Sequence, residues 1–331
     1  MEMRIFGRSV MKLSLLGFGC GGVGGLMVRG TFADQERTVC RALDAGVNYF
    51  DTAAAYGNGE SEKNLGRVLT KLKPKDIFVG TKVRLPEGTG PTAEFITQSL
   101  EASLRRLGRD RVDIVHFHDP ITVAGGGNTV TVRQVLEQVV PAFEALRRQG
   151  KVRFLGFTAV GDTSALHDVI DSGAFDSAQV AYNMLNPSAG AALPPGYPAQ
   201  DYGRLFEHTK AAGVGVIGIR VLAGGALSGS AERHPIASAP PPPIGSANSY
   251  EGDLMRAQRL APLVKEGFAA SLAEAATRFS LGHPAVGTIL VGMATPQEFE
   301  DSLAAVLKGP LPAAALDRLA ALQQGFAGEA R

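Results

Sequence analysis

Tryptophan is absent from the 331 residues, cysteine occurs only at Cys20 and Cys40, and the formal net charge is +1. Each shortage removes a class of function. Two thiols cannot build a disulfide framework or a four-ligand zinc site, and they suit a reducing compartment. A net charge so close to zero offers no field to draw in nucleic acid or an anionic membrane surface. Long apolar runs are missing as well. The longest uncharged N-terminal stretch, residues 13–28, contains six glycines, which suits a strand and a loop and not a membrane helix. No secretory leader pattern opens the sequence, so a cytosolic protein is expected. His167, His208, His234 and His283 are scattered without ligand spacing, and no metal site is expected. Apolar residues, by contrast, make up 45% of the chain, enough for a sizeable core around a small-molecule site.

Short apolar runs alternate with longer amphipathic stretches along most of the chain. Strands are predicted at residues 13–18, 48–51, 77–82, 112–118, 152–157, 177–181, 214–219 and 288–291. Helices are predicted near residues 34–45, 61–70, 93–107, 132–149, 164–171, 202–212, 272–281 and 297–306. Eight strands, each followed by a helix, predict an α/β protein with a closed parallel (β/α)8 barrel, one domain over residues 1–331. Two long turn-rich loops, residues 119–129 and 224–252, follow strands and therefore belong on the active face. The tail from Pro310 predicts one more helix outside the barrel, with residues beyond Gly325 frayed.

Asp51, Tyr56, Lys82 and His118 each stand at or just past the end of an apolar run, and in such a barrel these ends converge on one face. A phenol beside an ammonium has its pKa lowered, and a carboxylate can hold the ammonium in place. Alone, Asp51 and Lys82 read equally well as a structural ion pair, and Tyr56 as a packed loop aromatic. Gathered in one pocket, the four describe proton transfer to or from an oxygen, as in carbonyl or alcohol redox chemistry. His116 points to the same side of its strand as His118 and reads as a core histidine. Cys20 reads as a small buried packing residue.

The motifs LGFGCGGVGG, NYFDTAAAYGNGESEKNLG, GTKV, VDIVHFHDP, GKVRFLGFT, AQVAYNMLN and VGMATPQEFEDSL, in that order, resemble those of the aldo-keto reductases over nearly the whole chain. The resemblance implies hydride transfer between a nicotinamide cofactor and a carbonyl or alcohol. It makes Tyr56 the acid or base, Lys82 its pKa depressor, Asp51 the partner of the lysine and His118 the group that orients the substrate oxygen. It also implies that Gln179 holds the nicotinamide carboxamide, with Thr158 where the family has serine and Ala159 where it has asparagine. Arg220, Leu222 and Gly224 at the seventh strand exit, and Gly292, Met293, Glu298 and Ser302 after the eighth strand, complete the implied cofactor contacts. Arg220 replaces a serine and is assigned here to the pyrophosphate, with a carboxylate at the barrel mouth as its other partner.

Members that prefer NADPH carry arginine or lysine after the eighth strand to grip the 2′-phosphate, whereas this chain has Ala294 and Glu298, then Glu300 and Asp301. Carboxylates repel that phosphate, and Glu298 can accept from ribose hydroxyls, so NAD is the expected cofactor, with NADP the alternative. The segment from Thr295 to Glu298 also reads as a helix cap. NAD use favours oxidation, and the pattern is similar to the aldose dehydrogenase branch of the family. Two alternatives stand beside it: an NADPH-dependent aldehyde or ketone reductase, and a nucleotide-binding regulatory subunit that senses redox state. The implied partner is a small carbonyl or alcohol, and no pattern in the sequence specifies an oligomeric state.

Overall fold

Eight parallel strands close into a barrel in the computed structural model, which describes residues 1–330. A short antiparallel hairpin, β1 (Met3–Ile5) and β2 (Lys12–Ser14), comes first. The barrel strands follow: β3 (Leu16–Gly19), β4 (Tyr49–Asp51), β5 (Phe78–Val83), β6 (Val112–Phe117), β7 (Val152–Ala159), β8 (Ser177–Ala181), β9 (Gly215–Ile219) and β10 (Val286–Gly292). They run round the barrel in chain order, and β10 closes it between β9 and β3.

The run predicted as one strand at residues 13–18 is split between two jobs. Its first residues pair in the hairpin, and Leu13 joins Phe6 and Met11 beneath Tyr49, Ile114, Ile217 and Leu290 to plug the barrel interior. Periodicity could not separate the two pieces, because both are buried. Arg8 pins the plug by donating to Asp176 and to the carbonyls of Gly173 and Phe175. The other, larger core lies between the outside of the barrel and its helices.

The helices are α1 (Leu26–Arg29), α2 (Phe32–Asp44), α3 (Glu60–Leu72), α4 (Ala93–Leu107), α5 (Val132–Gln134), α6 (Val140–Arg148), α7 (Thr163–Asp171) and α8 (Leu205–Ala211). After β9 come α9 (Tyr250–Gln258), α10 (Pro262–Lys265) and α11 (Leu272–Gly282), and after β10 come α12 (Pro296–Leu307) and α13 (Ala313–Gln324). Thr31, Thr92, Ser249, Ser271 and Thr295 cap α2, α4, α9, α11 and α12 by accepting a backbone N–H three residues on. The predicted helix at 132–149 runs on through a π turn at Val135–Val139, just before Pro141, whose missing N–H cannot continue the α pattern. No helix among the described residues is long and apolar enough to cross a membrane.

Two expectations are corrected. The segment 224–252 is not all loop: a 3-10 turn at Ala223–Ser228 opens it and α9 begins inside it, an element the glycine- and proline-rich composition concealed. Residues 326–330, expected to be frayed, are docked. Phe326 is fully buried, and Arg256 and Arg259 from α9 and its C-cap hold the Glu329 carboxylate, Arg256 also reaching the Ala330 carbonyl.

Register sets the upper rim. Asp51 pairs with Gly19 and Gly80, Lys82 with His116, and Thr158 with Gln179. Two glycines make room for the layer beneath: a Cβ at Gly80 would lie 2.4 Å from the Tyr49 hydroxyl, and one at Gly156 would lie 2.4 Å from the His116 ring.

Candidate active site

Lys82 and Asp51 form an ion pair that is almost wholly buried, 1% and 3% exposed. Isolated charges there would be costly, but both are saturated with partners. The Lys82 ammonium donates to Asp51 Oδ1 and, at 2.8 Å, to the Thr52 carbonyl, while Asp51 Oδ2 accepts from the Tyr49 hydroxyl at 2.9 Å and Gln179 Nε2 at 2.7 Å. Burial pulls Lys82 towards losing its proton, yet Asp51 and Tyr56 outweigh it and leave the ammonium above the ordinary lysine range.

Tyr56 sits in the turn between β4 and α3, half-buried, with its ring centroid 4.8 Å from Lys82 Nζ. Its ring meets that of His118 edge-on, centroids 6.4 Å apart. Burial raises the Tyr56 phenol, Lys82 lowers it and Asp51 raises it again, and the net direction is upward. The sequence led us to expect depression by Lys82; the lysine does pull that way, but desolvation is the larger effect. Tyr56 therefore holds its proton at neutral pH. His118 is driven down to about 3, by burial first and then by Lys82, Arg84 and Arg220, so its imidazole is neutral. His118 Nδ1 lies 2.8 Å from Thr158 Oγ1, and Thr158 Oγ1 lies 3.4 Å from Gln179 Oε1. A chain of hydrogen bonds thus runs His118–Thr158–Gln179–Asp51–Lys82. His116 is fully buried below, with Nε2 at 3.1 Å from Ser177 Oγ. Cys20 is buried and its thiol is pushed far up by desolvation, which leaves it inert.

Tyr56, His118, Thr158, Gln179, Arg84 and Arg220 line a cavity of 390 Å³ at the rim. A second cavity of 420 Å³ shares Val23, Leu222, Gly224, Val291 and Gly292 with it, so the two form one groove. Glu298 and Ser302 line the far end. Glu298 Oε2 accepts from Ala294 N at 2.6 Å, and its own N–H is capped by Thr295, so the residue is both a cap and a wall of the groove. Met293 is buried, and its carbonyl accepts from Leu26 N. Arg220 lines the cavity around Tyr56, and it makes no ion pair among the described residues. A groove with a proton donor at one end and glycine backbone at its waist fits a dinucleotide with its nicotinamide beside Tyr56. Thr158, Gln179, Leu222, Gly224 and Gly292 line that groove.

Arg233 was missed from the sequence. It comes from the proline-rich segment after β9, yet it lines the far cavity and donates to the carbonyls of Gly224 and Ser238. No local pattern marks it. That end also carries Glu232, Glu274, Glu298 and Asp301, so acidic groups outnumber the one arginine.

Comparison with known proteins agrees with this architecture. The profile of the Aldo/keto reductase family matches residues 15–324. L-galactose dehydrogenase of Arabidopsis thaliana is 31% identical over 312 residues, covering 92% of this chain and 88% of that protein. D-threo-aldose 1-dehydrogenase of a Pseudomonas species is 32% identical over 214 residues, covering 56% of this chain and 62% of that protein. An aldo-keto reductase structure from Bacillus halodurans, in its holo form, superposes with a TM-score of 0.70 at 24% identity, covering 100% of this chain and 98% of that one, and so shares the fold. The chain belongs to the aldo/keto reductase family and is an NAD(P)-dependent oxidoreductase.

Proposed function

We propose that the protein oxidises an aldose or a related alcohol with NAD, and runs the reverse reduction through the same groups. The observation that carries this is the convergence of Tyr56, the Lys82–Asp51 pair and His118 on one cavity of the groove. A bound nicotinamide supplies the hydride acceptor or donor. His118, neutral and anchored through Nδ1 to Thr158, orients the substrate oxygen from its other nitrogen. Tyr56 hands that oxygen a proton in reduction and takes one from it in oxidation. Lys82 opposes the desolvation that holds Tyr56 protonated, and Asp51 keeps Lys82 charged and in place.

The sugar-oxidising names of the relatives support an aldose as substrate. The acidic far end supports NAD over NADP, since a dianionic 2′-phosphate would face Glu232, Glu298 and Asp301 and one already engaged arginine, with Glu274 neutralised by Arg278 and Lys308. Both cysteines are unpaired, which goes with a cytosolic setting.

The test has two parts. Turnover of L-galactose and D-threo-aldoses with NAD should vanish in Tyr56→Phe while NADH binding persists; undiminished turnover would refute the roles above. By fluorescence titration NADH should bind more tightly than NADPH, and Glu298→Gln, which retains the capping acceptor, should narrow the gap by roughly three- to tenfold. Equal affinities in the parent protein would overturn the cofactor assignment.

A further inference from the structure

We propose that, among aldoses and related alcohols or aldehydes, the preferred substrate carries an anionic group, of carboxylate or phosphate type, gripped by Arg84 and Arg220 from opposite sides of the barrel mouth, with uncharged members turned over less efficiently. The inference rests on the reading of Tyr56 and His118 as the reacting end of the cavity. Arg84 directly follows β5 and Arg220 directly follows β9, and these strands stand four places apart in an eight-membered ring, so the two side chains approach from opposite walls. Both line the cavity that holds Tyr56 and His118.

Neither guanidinium is used up by the fold. Lys82 has Asp51, and so contributes little net charge to the cavity. Arg84 reaches only Asp119 Oδ1, at 3.9 Å, the outer edge of an ion pair, while Asp119 Oδ2 is occupied by Leu85 N. Arg220 is half-buried, and among the described residues its guanidinium donates to the Pro242 carbonyl, Nη1 at 3.2 Å, and forms no ion pair. Asp253 acts on it from beyond ion-pair distance, because that carboxylate is held by Ser246 and Ala247. A guanidinium has five N–H donors; those of Arg84, whose side chain is 54% exposed, and of the half-buried Arg220 stay open to a ligand, and none is a buried atom left without a partner.

Backbone geometry points the same way. Arg220 has φ +56°, the left-handed region that side chains other than glycine, asparagine and aspartate seldom occupy. That local cost is held in place by Asn183 Nδ2 and Ala223 N, which both donate to the Arg220 carbonyl and so fix the residue at the rim beside the reacting groups. The remaining walls near it, Ile219, Ile244 and Val160, are apolar, so the two arginines are the charge-reading elements of a pocket that otherwise selects by shape. Paired guanidinia suit the planar fork of a carboxylate or the face of a phosphate.

The experiment uses the whole protein with NADH. Reduction of 4-carboxybenzaldehyde is compared with that of benzaldehyde, and the readout is the ratio of their kcat/KM values. A ratio of about tenfold or more is expected, falling close to one in Arg84→Gln and in Arg220→Gln. Taking the ratio within each variant cancels changes in cofactor binding or in the fraction folded. Calorimetric binding of benzoate, phenyl phosphate and benzyl alcohol to the NADH complex reads the same preference without turnover, and separates carboxylate from phosphate. A parent ratio near one with no selective binding of either anion overturns the proposal. So does a ratio that survives both substitutions, or an Arg220→Gln variant that loses NADH affinity and keeps the ratio. Tyr56→Phe should silence both aldehydes; if it does not, the assignment of the reacting end fails and not the anion preference.

Discussion

Thr158→Val deletes one hydroxyl and keeps the shape of the side chain. That hydroxyl has a single proton and two partners in reach, His118 Nδ1 at 2.8 Å and Gln179 Oε1 at 3.4 Å. The amide of Gln179 cannot turn round, because its nitrogen is committed to Asp51 at 2.7 Å, so an oxygen faces Thr158. An amide oxygen can only accept, so the threonine proton goes to Gln179 Oε1 and His118 Nδ1–H donates to Thr158 Oγ1. That leaves Nε2 unprotonated, an acceptor for the hydroxyl of an alcohol substrate. In the valine variant a buried ring nitrogen loses its partner, at a cost of about 1–3 kcal/mol, and the ring is free to carry its proton on the wrong nitrogen. If that cost is felt in the transition state, kcat falls about 5- to 150-fold. Steady-state kinetics with separate NADH titration is the assay. Thr158→Ser should restore most of the rate, since it returns the hydroxyl. A valine variant that keeps kcat but binds NADH more weakly would refute the argument, because it would assign Thr158 to the cofactor and not to His118.

The phenol of Tyr56 is shifted upward and is protonated at neutral pH, so the reduction rate should be level through neutrality and fall only in the alkaline range as the proton is lost. Oxidation should run the other way, rising with pH. A transition between pH 6 and 7 that disappears in His118→Asn would contradict the neutral imidazole, which titrates at about 3. Away from the site, Glu62 is fully buried and shares its carboxylate between Arg106 and the Thr81 hydroxyl. Arg106→Ala should destabilise the protein by about 3–5 kcal/mol in urea unfolding, because it strands a buried charge, and a loss under 1 kcal/mol would show that Glu62 is relieved by another route.

The alternation of buried runs with amphipathic stretches leaves little choice of topology, so the eight strands, their order and the parallel barrel were legible from residues such as Ile77 to Lys82 and Val112 to His118. Asp51, Lys82 and His118 were readable for the same reason: strand ends of a barrel must share a face. Less local features were hidden. Leu13 looks like barrel strand and serves as plug, α9 lies among glycines and prolines, and Phe326 and Glu329 are held by arginines from α9 and its C-cap, some seventy positions away.

Periodicity and the order of the motifs sufficed for the barrel, the family and the gathering of Asp51, Tyr56 and His118 at one cavity, with Lys82 paired to Asp51, because each depends on neighbours within one strand–helix unit. Packing decided the rest. The protonation of Tyr56 depends on how much water the surrounding loops exclude, the proton position on His118 depends on a threonine and a glutamine from two other strands, and Arg233 reaches the groove from a segment with no pattern of its own. Desolvation and through-space charge are properties of the assembled molecule, and no stretch of chain carries them alone.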